Sequence, residues 1–376
     1  MKKSVFLAAL AAASPAWADD PPTTLSTPSM FGPLSLNPSP YGFDAGPAGK
    51  IYASGVISGL GMTQTHPVPH DQSSLLDLSN AQLMLQKTDG PIQFYLQGGQ
   101  YILPGVGAAY QRSAFTTDHF FGPLPIAYVK IAPSDSFSIQ AGKLYTLIGT
   151  ENTFDFQTAN IQHGLLWNQT NDLSRGVQVN YSHGPWSGSL ALTDGYYSDK
   201  LNWLSGALTY TIDANNNVTL LASGNFRRDS DNTLSTPATL NNSQLAQLNY
   251  SYTAGPWLFS PTLQWTHVPE DPSVGLAASA STYGAGLTTK YAINATWNIA
   301  ARAEYIASTG GTNVMYGPGS NGWAVTLTPT WQKGMFFARP EASFVKALAT
   351  APGAAFGRNG NETTQARLLF ETGVIF

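Results

Sequence analysis

The sequence predicts an all-β fold: a transmembrane antiparallel up-and-down β-barrel of about 16 strands, with short periplasmic turns and long extracellular loops. Three observations predict it. From Lys50 onward, stretches of about ten residues alternate apolar and polar side chains. Aromatic residues gather at the ends of those stretches, where a bilayer interface would hold them. The connections between them alternate in length, as a barrel with one turn rim and one loop rim requires.

Residues 1–18 read as a secretory signal, with Lys2 and Lys3 as a positive start, an apolar run from Val5 to Ala13 and a small-x-small site at Ala16 to Ala18. That run falls short of the roughly 20 residues that cross a bilayer as a helix. Residues 19–49 carry Pro21, Pro22, Pro28, Pro33, Pro38, Pro40 and Pro47 without alternation, so they read as extended chain. A periplasmic tether is the preferred reading of this Pro-rich segment, ahead of a plug folded back into the barrel.

Residues 50–376 form the barrel. The expected strands are 50–62, 76–87, 91–101, 121–132, 136–145, 174–183, 185–194, 201–212, 216–227, 243–253, 256–267, 281–292, 296–307, 322–332, 335–346 and 366–376. Within 256–267, Trp257, Phe259, Leu263 and Trp265 share one face, and Ser260, Thr262 and Gln264 the other. Trp323 and Trp331 bracket Val325 and Leu327 in the same way, and Trp297 and Tyr305 bracket Ile299. In the last strand Leu368, Phe370, Val374 and Phe376 face lipid while Arg367 and Glu371 face inward. Lys143 falls on the lipid-facing parity of its strand, which implies a bulge or a rim position.

Composition agrees. Charged residues make up 11% of the chain, against about a quarter in soluble domains. No apolar run of helix-spanning length follows the signal, so a membrane role requires strands. The absence of cysteine removes disulfides and thiol chemistry, and a net charge of −4 without a Lys/Arg cluster leaves no footprint for nucleic acid. The six histidines head no catalytic set, and His66 and His70 lack the further ligands a metal needs. No phosphate, dinucleotide or calcium loop is present, so neither an enzyme nor a cofactor is expected.

The polar faces would then line a water-filled lumen, because a barrel of about sixteen strands is too wide for side chains to fill. Its charged lining is Lys130, Arg227, Lys290, Arg302, Glu304, Arg339, Glu341, Arg367 and Glu371. The last six share one wall, where they can act as a salt-bridge ladder or set solute selectivity. The longest loop, 146–173, holds Phe154, Phe156, Ile161, Leu165, Leu166 and Trp167, more apolar residues than an exposed loop needs. It is expected to fold inward as a constriction, with Glu151 and Asp155 facing the basic wall across a narrowed pore.

Residues 141–149 (AGKLYTLIG), 174–181 (SRGVQVNY) and 192–198 (LTDGYYS) resemble those of Gram-negative outer-membrane porins, and more narrowly the beta-barrel porin-2 (OmpL-like) family. The resemblance implies an outer-membrane channel for passive diffusion of small hydrophilic solutes, held in outer-membrane lipid, without cofactor or catalysis. A homotrimer is the family expectation, and the barrel-assembly machinery would read the C-terminal strand ending in Phe376. Two rival readings remain: a channel specific for carbohydrate or organic acids, with Tyr95 and Tyr128 as a stacking surface, and a hydrolase or closed structural barrel.

Overall fold

The computed structural model describes residues 32–36, 40–149 and 151–376. The expected signal and most of the Pro-rich segment lie outside the described residues. A short strand β1 (Tyr41–Asp44) precedes β2 (Lys50–Gln64), β3 (Ser74–Lys87), β4 (Ile92–Tyr101), β5 (Ile126–Ser134), β6 (Phe137–Tyr145), β7 (Leu173–His183), β8 (Trp186–Thr193) and β9 (Trp203–Thr211). Then follow β10 (Asn216–Asn225), β11 (Gln244–Ala254), β12 (Trp257–Val268), β13 (Ala280–Ala292), β14 (Trp297–Gly310), β15 (Asn321–Lys333), β16 (Phe336–Leu348) and β17 (Thr364–Ile375).

Strands β2 to β17 pair antiparallel with their sequence neighbours, and β17 pairs back onto β2 from Arg367 opposite Gln64 to Ile375 opposite Val56. The result is a closed sixteen-strand ring, which satisfies backbone groups that an open edge would leave bare in lipid. Each expected strand is present, with its ends moved by a few residues. The backbones of Gly55 and Phe376 exchange two hydrogen bonds of 2.7 and 2.9 Å at the seam. A Cβ on Gly55 would lie 2.6 Å from the Phe376 ring, so this glycine is required by close approach. Strand β1 covers the first residues of β2, with Tyr41 opposite Ala53 and Asp44 opposite Lys50.

Side-chain alternation sorts the faces. Leu368 is 60% exposed and Phe370 50%, whereas Arg367, Leu369 and Glu371 between and beside them are buried. On β12, Trp257 and Leu263 are exposed, and Ser260, Thr262 and Gln264 face the interior. Aromatic pairs mark the turn rim: Trp257 with Tyr291 at 4.4 Å and Trp186 with Tyr210 at 4.6 Å between ring centres. Lys143 sits near the loop rim, its Nζ donating to the Leu124 carbonyl at 2.8 Å, while the pairing of β6 with β7 runs without a bulge.

The interior departs from the uniformly polar lumen expected. Val56, Met84, Tyr95, Tyr128, Phe337 and Ile375 project inward and form one buried cluster with Phe154 and Phe156 of the long loop. Leu34 and Leu36 belong to the same cluster. The Gly32 N–H donates to the Gln157 carbonyl at 2.7 Å, and Ser35 exchanges two hydrogen bonds with the Gln332 side chain near the turn end of β15. Residues 32–36 therefore lie against the long loop and the inner face of the barrel. The physical reason is an inward apolar patch that needs covering.

Candidate pore site

Arg302 and Glu304 on β14, Arg339 and Glu341 on β16, and Arg367 and Glu371 on β17 all point inward, because each pair is separated by two or four residues of strand. Strand register sets them side by side. Arg302 is opposite Thr326, Thr326 opposite Ser343, and Ser343 opposite Arg367; Arg339 is opposite Glu371. These six charges are all buried, Arg339 and Glu371 completely.

Four of them, Arg302, Glu304, Arg339 and Glu341, meet the backbone of the loop 146–173. Glu341 accepts from the N–H groups of Ile161 at 2.5 Å and Gln162 at 3.0 Å. Glu304 accepts from those of Leu165 at 2.8 Å and Leu166 at 3.2 Å. In the other direction, Arg339 donates to the carbonyls of Asp155 at 3.0 Å and Thr158 at 3.1 Å, and Arg302 to that of Gln162 at 2.8 Å. Arg367 reaches the Gln162 side chain at 3.0 Å and the Gly105 carbonyl at 2.8 Å. Charged groups supply what an irregular backbone taken from water needs, and such bonds are stronger than neutral ones.

No gap separates the loop acids from the wall. Glu151 pairs directly with Arg302 and accepts the Gly164 N–H at 2.7 Å. Asp155 lies beside Glu371, and its Oδ1 accepts from Asn80 at 2.8 Å. The transverse field expected across an open pore is thus replaced by direct contact: Glu151 is compensated by Arg302, and Asp155 lies against Asn80 and Glu371. Burial, and then the neighbouring Glu371, holds the Asp155 carboxyl well above the usual range. Burial likewise pushes His163 down to about 4, and its ring stacks on Trp167 at 3.8 Å.

The loop also reaches the wall of β10 to β12. Gly149 donates to Gln247 at 2.8 Å, Gln264 donates to the Leu166 carbonyl at 3.0 Å, and Ile148 packs with Leu221 and Leu245. On the turn side, a polar cavity of about 790 Å³ opens between β4 and β9, lined by Gln93, Lys130, Ser138, Asn180, Ser189 and Thr209. Lys130 is therefore where the parity of its strand puts it. Lys290 also faces inward on β13, opposite Leu258 and Ala300. Arg227 does not: β10 ends at Asn225, and Arg227 is exposed in the bend beyond it, because its backbone N–H turns back onto the Asn225 side chain at 2.7 Å.

Gln162, Asn80 and Ser58 belong to the same network without having stood out in the sequence. Ser58 donates to Glu371 at 2.9 Å, and the Gln162 side chain donates to Glu341 at 2.9 Å. Their only signal is inward parity or a polar place in an apolar loop, which many residues share.

A family model described as "Putative beta-barrel porin-2, OmpL-like" matches residues 50–376, the whole barrel. The chain belongs to this porin family. It is an outer-membrane barrel of the Gram-negative type, and solved porins share its fold. The anion-selective porin from Comamonas acidovorans superposes with a TM-score of 0.61 at 11% identity, covering 87% of this chain and 99% of that one. The OmpF of Salmonella typhi, solved with daunomycin, gives 0.60 at 12% identity over 87% and 98%. The outer-membrane channel DcaP of Acinetobacter baumannii gives 0.59 at 11% over 89% and 99%. No curated protein matches the sequence. In this porin, then, the family's barrel is joined to a loop that is fastened by its backbone to a charged inner wall.

Proposed function

We propose that the protein passes small hydrophilic solutes by passive diffusion, through the part of the lumen that the loop 146–173 and residues 32–36 leave free. The observation that carries this reading is an asymmetry. One wall, β14 to β17, is spent on holding the loop, while the facing wall, β4 to β9, presents amides, hydroxyls and Lys130 to the polar cavity. The loop is the constriction and the charged wall its support, so the wall charges act on solutes by fixing the loop. Residues 32–36 act as a plug on the turn side, supported by the burial of Leu34 and Leu36. Tyr95 and Tyr128 stack at 5.9 Å but are buried in that same cluster, so a sliding surface for sugars gains no support from them.

Export by the signal 1–18, insertion guided by the strand ending at Phe376 and assembly as a homotrimer in outer-membrane lipid complete the reading. The test is single-channel conductance of the refolded chain in a planar bilayer, paired with a deletion of residues 150–168. Stable steps that enlarge on deletion are expected. Silence in both samples would overturn the open-channel reading.

A further inference from the structure

Four loops meet on the outer side of the barrel around a cavity of about 300 Å³. Phe120, Phe121, Trp167 and Tyr196 contribute to its lining, with Leu173 and Leu240 beside them. Such walls take an apolar or aromatic body, and their ring faces carry the negative pole of the quadrupole. Into this lining is set one acid, Asp172.

Asp172 differs from Glu151, the loop acid with an arginine beside it, and from Asp155, which packs against the wall. Glu151 has Arg302, and Asp155 has Asn80. Among the described residues no cation pairs with Asp172, and its Oδ1 is shielded from solvent without a hydrogen-bond partner. Its backbone is held, with its carbonyl accepting from Thr146 at 3.2 Å and from the Thr153 hydroxyl at 3.2 Å, which sets where the side chain starts. A carboxylate oxygen shielded from water without a partner is costly, and an acid of this kind lining a cleft marks a candidate binding site. Burial accordingly raises the affinity of this carboxyl for a proton.

We propose that this cavity binds small organic cations, amines carrying an aromatic or compact apolar group, with the ammonium on Asp172 and the apolar body among Phe121, Trp167 and Tyr196. The ammonium supplies the missing charge and hydrogen-bond donors, and the rings add cation–π attraction. Neutral alcohols of the same shape lack the first term, and carboxylates are repelled. The site lies on the outer face of the loop 146–173, apart from the polar cavity on the turn side. Its occupation is therefore separable from passage of solute.

The test is calorimetric titration of the refolded full chain in detergent with phenethylamine, 2-phenylethanol and phenylacetate, which requires no conducting channel. Saturable binding of the amine is expected, with the alcohol about tenfold weaker or more. Asp172→Asn should remove the preference for amine over alcohol, and Leu240→Trp, which fills the cavity, should weaken both. Equal binding of amine and alcohol to the wild-type chain, no binding of any probe, or an unchanged preference in Asp172→Asn would overturn the proposal. A chain that binds the amine but shows no conductance would retain this site and sink the porin reading instead.

Discussion

Glu341 accepts two hydrogen bonds from Gln162, one from its backbone N–H at 3.0 Å and one from its side-chain amide at 2.9 Å. A wall carboxylate thereby grips the loop 146–173 at a single residue from two sides, and Glu304 does the same for the adjoining N–H groups of Leu165 and Leu166. Shortening Glu341 to Ala leaves those buried donors unpaired, at about 1–3 kcal/mol for each group left unsatisfied. Glu341→Ala together with Glu304→Ala should free the loop while the barrel, closed by its backbone, stays folded. Larger and noisier conductance steps are expected, with the heat-dependent gel shift of a folded barrel retained. Unchanged steps would show that the loop is held elsewhere.

The relation of Asp155 to Glu371 makes docking depend on pH. Burial and the adjacent Glu371 raise the Asp155 carboxyl well above its unfolded value. A group raised on folding stabilises the folded form below the unfolded pKa and loses that contribution as pH rises through the folded one. The loop should therefore be held most firmly under acid conditions and loosen as the medium turns alkaline. Asp155→Asn, which keeps the neutral form, should flatten the dependence. Limited proteolysis of the loop across that pH range measures it, and a cleavage rate that rises toward acid would contradict the assignment.

Much of this was legible in the sequence, and the boundary of legibility is physical. Strand parity follows from alternation alone, so the inward positions of Arg302, Glu304, Arg339, Glu341, Arg367 and Glu371 could be read directly. The inward fold of 146–173 was legible because Phe154, Phe156 and Ile161 have no reason to be wet; all three are fully buried. What the wall charges would bind was not legible. A carboxylate pairs equally well with an arginine two strands away or with backbone N–H groups, and backbone donors leave no trace in the sequence. The apolar patch did leave one: Val374, Ile375 and Phe376 are consecutive, as are Phe336 and Phe337, so apolar residues occupy both faces there. A strand end that is greasy inward as well as outward needs an occupant, and Leu34 and Leu36 share that cluster.

That occupancy gives a third prediction. Leu34→Glu with Leu36→Glu would place charge in the cluster formed by Val56, Met84, Phe337 and Ile375, at a cost too high for the segment to stay seated. Residues 32–36 should leave the lumen and the barrel should remain closed. Conductance should rise, and the effect should add to that of the loop deletion because the two obstructions are separate. A Gly32→Val variant offers a gentler displacement, since a Cβ there would fall 2.5 Å from the Thr158 carbonyl oxygen. If neither variant alters conductance, residues 32–36 do not obstruct the path.

Lys130 and Arg339 separate the two jobs that a charge inside a barrel can do. Both point inward, but Lys130 lines the polar cavity on the turn side, whereas Arg339 is wholly buried against Asp155, Thr158 and Glu371. A charge in contact with permeating water biases the ions that pass, and one sealed beneath a loop acts through structure. Lys130→Glu should shift the reversal potential under a salt gradient toward cations with little change in conductance. Arg339→Gln should do the opposite, loosening the loop and altering step size, because two backbone carbonyls and Glu371 lose their donor. Reversal potentials of the two variants in one salt gradient decide it. A selectivity shift in Arg339→Gln without a change in step size would mean that the wall beneath the loop is wet.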